Sequence, residues 1–233
     1  MHISKKTLLV LKNFRDLNSN ILVSPGSVIK TVTPAMNVMA TAVVDEEFPE
    51  QFGIWDLGSF LGTVSLFEDP DFDFKENHVV ISSNGSKVKY YYSDASLLTS
   101  PKKNVNMPES VVTINLPYGT FNELKKAAAV LGLNDLSIIC DGETVTATIM
   151  DKSKATNNTF SLDIEDATFE DGAVFNFDFK IDNLRFIPGS YKMEIAEKVV
   201  SQFTNQDGLD LTYWVALESS SSYTAAHTAA GVA

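Results

Sequence analysis

The chain is poor in the residues that anchor most enzyme chemistry. Its 233 residues include one cysteine and three histidines. A single thiol excludes an intrachain disulfide, and Cys140 lies in LSIICDG, a buried strand ending in a turn by its pattern, so a reducing compartment is expected. His2 and His227 sit near the ends and His78 stands alone, which gives no imidazole base held by neighbours. There is no glycine-rich phosphate loop, no HExxH zinc pair and no CxxC. No stretch approaches the roughly 20 apolar residues of a membrane span, and the N-terminus lacks the apolar core of a signal peptide. The expectation is a soluble intracellular protein, in which the sequons at Asn84 and Asn157 have no role. Basic residues are scarce as well. Eighteen Lys and Arg stand against 30 Asp and Glu, a net charge of −12, which on average opposes a polyanionic partner.

The average hides a segregation. Residues 4–18 form an amphipathic helix by period, with Ile3, Val10, Phe14 and Leu17 on one stripe and Lys5, Lys12 and Arg15 opposite, and Ser4 placed to cap it. Residues 120–133 echo that segment: Thr7, Leu8, Leu11 and Lys12 align with Thr120, Phe121, Leu124 and Lys125. In the echo, Phe121, Leu124, Ala128 and Leu131 form the apolar stripe, with Lys126 opposite and Lys125 at its flank. A second echo comes after it, since Trp55, Asp56, Phe60 and Leu61 recur in spacing as Ile181, Asp182, Phe186 and Ile187. Two echoes in the same order imply one unit used twice. The two longer helices hold Lys5, Lys6, Lys12, Arg15, Lys125 and Lys126 but only Asp16 and Glu123 among the acids, so an assembly turning both the same way would carry a basic surface inside an acidic body.

The rest reads as strands with short helices. Pro25-Gly26 predicts a hairpin between 21–23 and 27–33, residues 38–44 a further strand, and the acidic, Pro49-containing run 45–50 an exposed loop. A charge-poor helix comes next at 55–67, and Asn84-Gly85 between alternating runs is the strongest hairpin signal. Periodicity lapses at 93–110, which carries Pro101 and Pro108. The domain reading is therefore 1–95, a connector at 96–110, 111–218, and a disordered tail from 219 to 233, where SSSSYTAAHTAAGVA offers little to pack. The second domain repeats strand, helix and hairpin, with a short helix at 182–186 and strands to 217.

One acidic cluster could hold a metal: Glu68, Asp69, Asp71 and Asp73, which would make a metal-dependent hydrolase. The stronger reading of DFDF is a strand with phenylalanines on one face and aspartates on the wet face. The acidic run 163–171 reads as a solvated outer surface. These residues favour a binding or scaffolding role, with no cofactor and no catalytic residue expected.

The ordered landmarks Asn13-Phe14 with Leu17-Asn18-Ser19, Asp56-Leu57 with Phe60-Leu61-Gly62 and Ser65-Leu66, Pro188-Gly189 with Tyr191-Lys192, and Tyr213 with Val215-Ala216-Leu217-Glu218 resemble the sliding clamps of tailed bacteriophages. The resemblance covers nearly everything before Ser219. It implies an α+β fold of two similar clamp-type domains, with helices lining an inner face and antiparallel sheets outside. Three subunits would join head to tail in a ring around double-stranded DNA, working in the cytoplasm of an infected bacterial host. The implied partners are a replicative DNA polymerase, an ATP-using clamp loader and, in some relatives, the transcription machinery. The DNA-facing residues would be Lys5, Lys6, Lys12, Arg15, Lys125, Lys126 and Arg185. Subunits would meet through Val88, Tyr90 and Tyr92 of one copy and Phe160 and Leu162 of the next. Met107, Pro108, Val215 and Leu217 would shape a pocket for partner peptides. A few lysines per helix, without base-reading groups, suit a contact that must slide. The alternative is a trimeric structural or assembly protein of a virus that does not bind DNA.

Overall fold

Helix α1 (Lys5–Leu17) begins where Ser4 caps it, the Ser4 hydroxyl accepting from the Thr7 amide at 3.1 Å. Its buried stripe is Thr7, Val10, Leu11, Phe14 and Leu17. In this computed structural model, which describes residues 1–226 except 155 and 157, the helix belongs to the first of two compact units. That unit comprises Met1–Asn104 and Leu209–Leu211. The second comprises Val105–Gly208 and the described residues from Thr212 onward.

In the first unit the expected hairpin at Pro25-Gly26 is replaced by a change of sheet. Strand β1 (Ile21–Val23) pairs with β4 (Phe52–Ile54), whereas β2 (Gly26–Val32) pairs antiparallel with β3 (Val38–Phe48). The turn residues marked a reversal correctly, but they carry no information about which strand lies alongside. Gly26, at a φ of 104°, makes the corner. The 45–50 loop is also corrected, because β3 runs on through Asp45, Glu46 and Glu47 to Phe48. Val44, Glu46 and Phe48 point inward and Asp45 and Glu47 outward, the two-residue period of a strand. Glu46 is 8% exposed and spans the start of α1, accepting from the Ser4 amide and from the Thr7 hydroxyl. A carboxylate there also meets the positive end of the helix dipole.

Helix α2 is shorter than expected, Leu57–Val64. It is capped by Asp56, whose carboxylate accepts from the Ser59 amide at 2.8 Å. Trp55 and Leu66 fall outside it and are exposed. The next sheet has the order β5–β6–β7, from β5 (Asp71–Lys75), β6 (His78–Ser83) and β7 (Ser86–Tyr91). Asn84 and Gly85, both at positive φ, make the β6–β7 turn.

The second unit has one sheet of order β11–β10–β9–β13–β17. Its strands are β9 (Asp135–Cys140), β10 (Val145–Met150), β11 (Phe160–Asp163), β13 (Val174–Lys180) and β17 (Ser222–Thr224). Within this unit the other sheet runs β12 (Ala167–Phe169), β8 (Ser110–Leu116), β14 (Tyr191–Ala196), β15 (Val200–Asn205), β16 (Leu211–Ala216). Helix α3 (Tyr118–Leu131) buries Phe121, Leu124 and Ala128, while Leu131 is 39% exposed and leaves the predicted stripe at the helix end. The short helix expected at 182–186 is only a 3-10 turn, Ile181–Asn183. Leu184, Phe186 and Ile187 instead enter an aromatic core in which Phe186 stacks on Tyr213 at 4.2 Å. Two buried hydroxyls hold the bend after it. Tyr191 donates to the Ile187 carbonyl at 2.6 Å, and Tyr213 accepts from the Ile187 amide at 3.1 Å.

The disordered tail is corrected over its described part. Ser222–Thr224 adds antiparallel to β13, and Tyr223 stacks over Phe175 at 6.3 Å and Phe177 at 6.4 Å. At its root, Ser220 donates to the buried Asp178 carboxylate at 2.6 Å. Residues beyond Ala226, His227 among them, lie outside the described residues.

Two substitutions report on these buried contacts. Burial alone would raise the Glu46 carboxyl, but its donors hold it below the usual carboxylate range. Glu46→Gln should cost about 1–3 kcal/mol in urea denaturation at neutral pH, and the difference from the parent should shrink as pH falls through the depressed value. Tyr213→Phe should cost about 1–3 kcal/mol, because the buried Ile187 amide loses its acceptor.

Candidate functional site

Helix geometry decides which cations are available. Lys5 and Lys12 lie opposite the buried stripe of α1 and are exposed, and among the described residues neither has an acidic partner within 4.0 Å. Lys6 lies about 100° round the helix, is half-buried, and pairs with Asp45 of β3 at 3.5 Å. Arg15 is exposed at the flank facing α2 and pairs with Asp16 at 2.5 Å. In α3, Lys126 is exposed on the outward face, again with no ion pair among the described residues. Lys125 behaves differently. Its stem lies along the core edge, with Nζ 5.4 Å from the centre of the Phe121 ring, and burial lowers its pKa. Arg185 comes just after the 3-10 turn, exposed, and pairs with Asp182 at 3.2 Å. The structure thus separates Lys5, Lys12 and Lys126 as outward-facing from Lys6, which is turned toward its own sheet.

A groove of about 470 Å³ runs beside α1, lined by Lys5, Leu8, Lys12, Leu61, Glu68 and Asp69 among others. Its acids lie next to the two free lysines, a juxtaposition that residue spacing alone did not reveal. Among the described residues no group of three or more His, Cys, Asp or Glu is placed to hold a metal ion. Asp71 and Asp73 stand on the exposed face of β5, paired with His2 at 3.2 Å and Lys75 at 2.8 Å, with Phe72 buried between them.

The edge residues fall on terminal strands. β7 ends the first unit's β5–β6–β7 sheet and β11 ends the β11–β10–β9–β13–β17 sheet of the second. Tyr90 and Tyr92 cover their own domain's core: Tyr90 meets Phe60 edge-on at 5.1 Å and donates to the Asp56 carbonyl at 3.2 Å, and Tyr92 stacks on Phe52 at 5.4 Å. Tyr91 faces the other way and is 63% exposed. Val88 is half-buried, as are Phe160 and Leu162, which alternate with exposed Ser161 and Asp163.

The expected peptide pocket needs correction. Val215 is wholly buried on the inward side of β16 and touches no solvent. The second unit does carry a groove of about 750 Å³, lined by Pro108, Val111, Phe169, Glu170 and Tyr223 among others. Of the four residues expected, Pro108 alone lines it, and Met107 and Leu217 are half-buried elsewhere.

Two units of helix-backed antiparallel sheet, with cations on the outward helix faces, define a DNA-clamp fold of the PCNA type. Solved structures agree. The proliferating cellular nuclear antigen of Entamoeba histolytica superposes with a TM-score of 0.64 at 15% identity, covering 91% of this chain and 94% of that one. The PCNA of A. fulgidus, solved with the C-terminal region of FEN-1, gives 0.68 at 12% identity over the same shares. Residues 115–219 match the family model of the gp45 sliding clamp, C-terminal part. The sliding clamp of Vibrio phage KVP40 is 31% identical over 224 residues, 94% of this chain and 99% of that protein, and that of Escherichia phage RB69 is 27% identical over 232 residues, 96% of this chain and 99% of that protein. The chain belongs to the phage sliding-clamp family, the processivity factors of DNA replication. The alternative of a viral structural protein is set aside.

The two kinds of lysine differ measurably. Lys12→Ala and Lys126→Ala should leave stability in thermal or urea denaturation within about 0.5 kcal/mol, as exposed changes do. Lys125→Ala should cost about 0.5–1 kcal/mol in the same measurement through lost cover of Phe121.

Proposed function

We propose that three copies of this chain close into a ring around duplex DNA and tether the replicative polymerase of an infecting phage, within the bacterial host. One observation carries the reading: in a chain of net charge −12, the exposed cations Lys5, Lys12 and Lys126, without acidic partners among the described residues, lie on the outward faces of the two echoed helices. Lys5, Lys12 and Lys126 make the primary contact with the phosphates, with Arg15, Lys125 and Arg185 at its margins. A ring holds DNA by topology, so contact with few phosphates is an advantage, since each added phosphate contact deepens salt-dependent binding and opposes sliding. None of these groups reads a base edge, and the contact is blind to sequence. The clamp performs no chemistry of its own. A clamp loader using ATP opens the ring, and in some relatives the transcription machinery is a further client. Subunits join by strand addition, the β7 edge carrying Val88 and Tyr90, with Tyr92 just past its end, meeting the β11 edge carrying Phe160 and Leu162 of the next copy. Partner peptides dock in the groove of the second unit that Pro108 lines.

Light scattering across a concentration series should give three times the 25.5 kDa chain mass, falling on dilution; a monomer at every concentration would sink the ring. Lys12→Glu with Lys126→Glu should keep that mass and shorten polymerase products on a primed circular template several-fold. Full-length products from the double variant would remove these helices from the DNA face.

A further inference from the structure

Resting on the ring reading above, we infer that the edge strands β7 and β11 carry opposite charges that select a head-to-tail joint between copies of this chain and reject like-to-like joints through these strands. The outward face of β7 presents Lys87, Lys89 and Tyr91, all exposed, in alternation with half-buried Val88 and Tyr90. On the side already paired, Lys89 lies opposite Val80 and Lys87 opposite Ser82, so neither lysine meets a carboxylate within its own sheet. Among the described residues neither has an ion-pair partner. The outward face of β11 presents Ser161 and Asp163 in alternation with Phe160 and Leu162. Asp163 lies opposite Thr146 and is likewise unpaired among the described residues, and exposed Glu165 and Asp166 continue the acidic run.

The two-residue period of a strand dictates which side chains can meet across such a joint. If β7 of one copy adds to β11 of another with Val88 and Tyr90 on the side of Phe160 and Leu162, then Lys87 and Lys89 necessarily fall on the side of Ser161 and Asp163. Opposite charges facing each other across a ladder stabilise it, and like charges destabilise it. Two β7 edges would set lysines against lysines, and two β11 edges would set Asp163 and its acidic neighbours against themselves. The self-complementary dimer is therefore disfavoured in both forms, and the remaining heterologous joint is the kind that closes into a ring.

Charge reversal separates this inference from the ring reading. Lys87→Glu with Lys89→Glu, and separately Asp163→Lys, should each weaken self-association of the full chain about tenfold or more by sedimentation at low salt, and all three changes in one chain should bring it back to within about threefold of the parent. All sites are exposed, and circular dichroism of each variant should match the parent. Reversals that leave association unchanged, or that weaken it without recovery in the triple variant, would overturn the charge pairing while the parent trimer kept the ring. A parent that is monomeric throughout would overturn the ring and the inference together.

Discussion

An unpaired strand edge is the constraint around which this chain is organised. Backbone amides and carbonyls left open at the end of a sheet invite any strand that passes, and most proteins blunt them. Here some edges are dealt with internally. Ser222–Thr224 lies against β13, with Tyr223 as the only large side chain holding it down. β7 and β11 are left terminal, yet both keep strict alternation, with apolar groups over their own core and polar groups outside. An edge of that kind is neither blunted nor sticky; it has a defined register to offer.

The same division of labour governs charge. The excess of acids resides on strands and loops, as in Asp45, Glu47, Asp71 and Asp73, while α1 and α3 hold six of the 18 Lys and Arg against only Asp16 and Glu123. Glu46 is the exception that ties the two together. It is the one acid of β3 turned inward, and it is spent on the first turn of α1, so the start of the basic helix is fixed to the acidic sheet by buried hydrogen bonds. Position on the element, rather than composition, separates Lys12 from Lys6, which has the same side chain but a different bearing.

Much of this was legible in the sequence where a period was long and unbroken. Within the helices the stripes of Val10, Phe14 and Leu17 and of Phe121, Leu124 and Ala128 are buried, although Ile3 precedes α1 and Leu131 turns outward, and Asn84-Gly85 turned where its positive-φ preference said it would. The failures share a cause, which is that local signals do not name a partner. Pro25-Gly26 marked a turn but not the strand beside it. The charges of Asp45, Glu46 and Glu47 hid an alternation whose inward acid is satisfied by a helix distant in the chain. SSSSY lacked apolar bulk, yet backbone pairing and one ring suffice against an existing sheet. Val215 was placed by position in a family pattern, which says nothing about the way a side chain points, and the alternation of β16 turns it inward. Lys87 and Lys89 carry no such signal, because across the ladder within their own sheet they lie opposite Ser82 and Val80 and not opposite a charge.

The ammonium of Lys125, parked over the Phe121 ring, bears on friction. A long, solvated side chain such as Lys126 can track a passing phosphate and let go by rotating, which smooths the potential along the duplex. A cation whose stem is pinned to the core cannot do so. In the proposed ring it would impose the same attraction at the same point as each phosphate went by, adding a periodic ripple with the repeat of the backbone. With part of its field directed at an aromatic face, that ripple would be shallow. On that reading the balance of pinned and free lysines on the helices would set how rough the track feels to the protein that rides it.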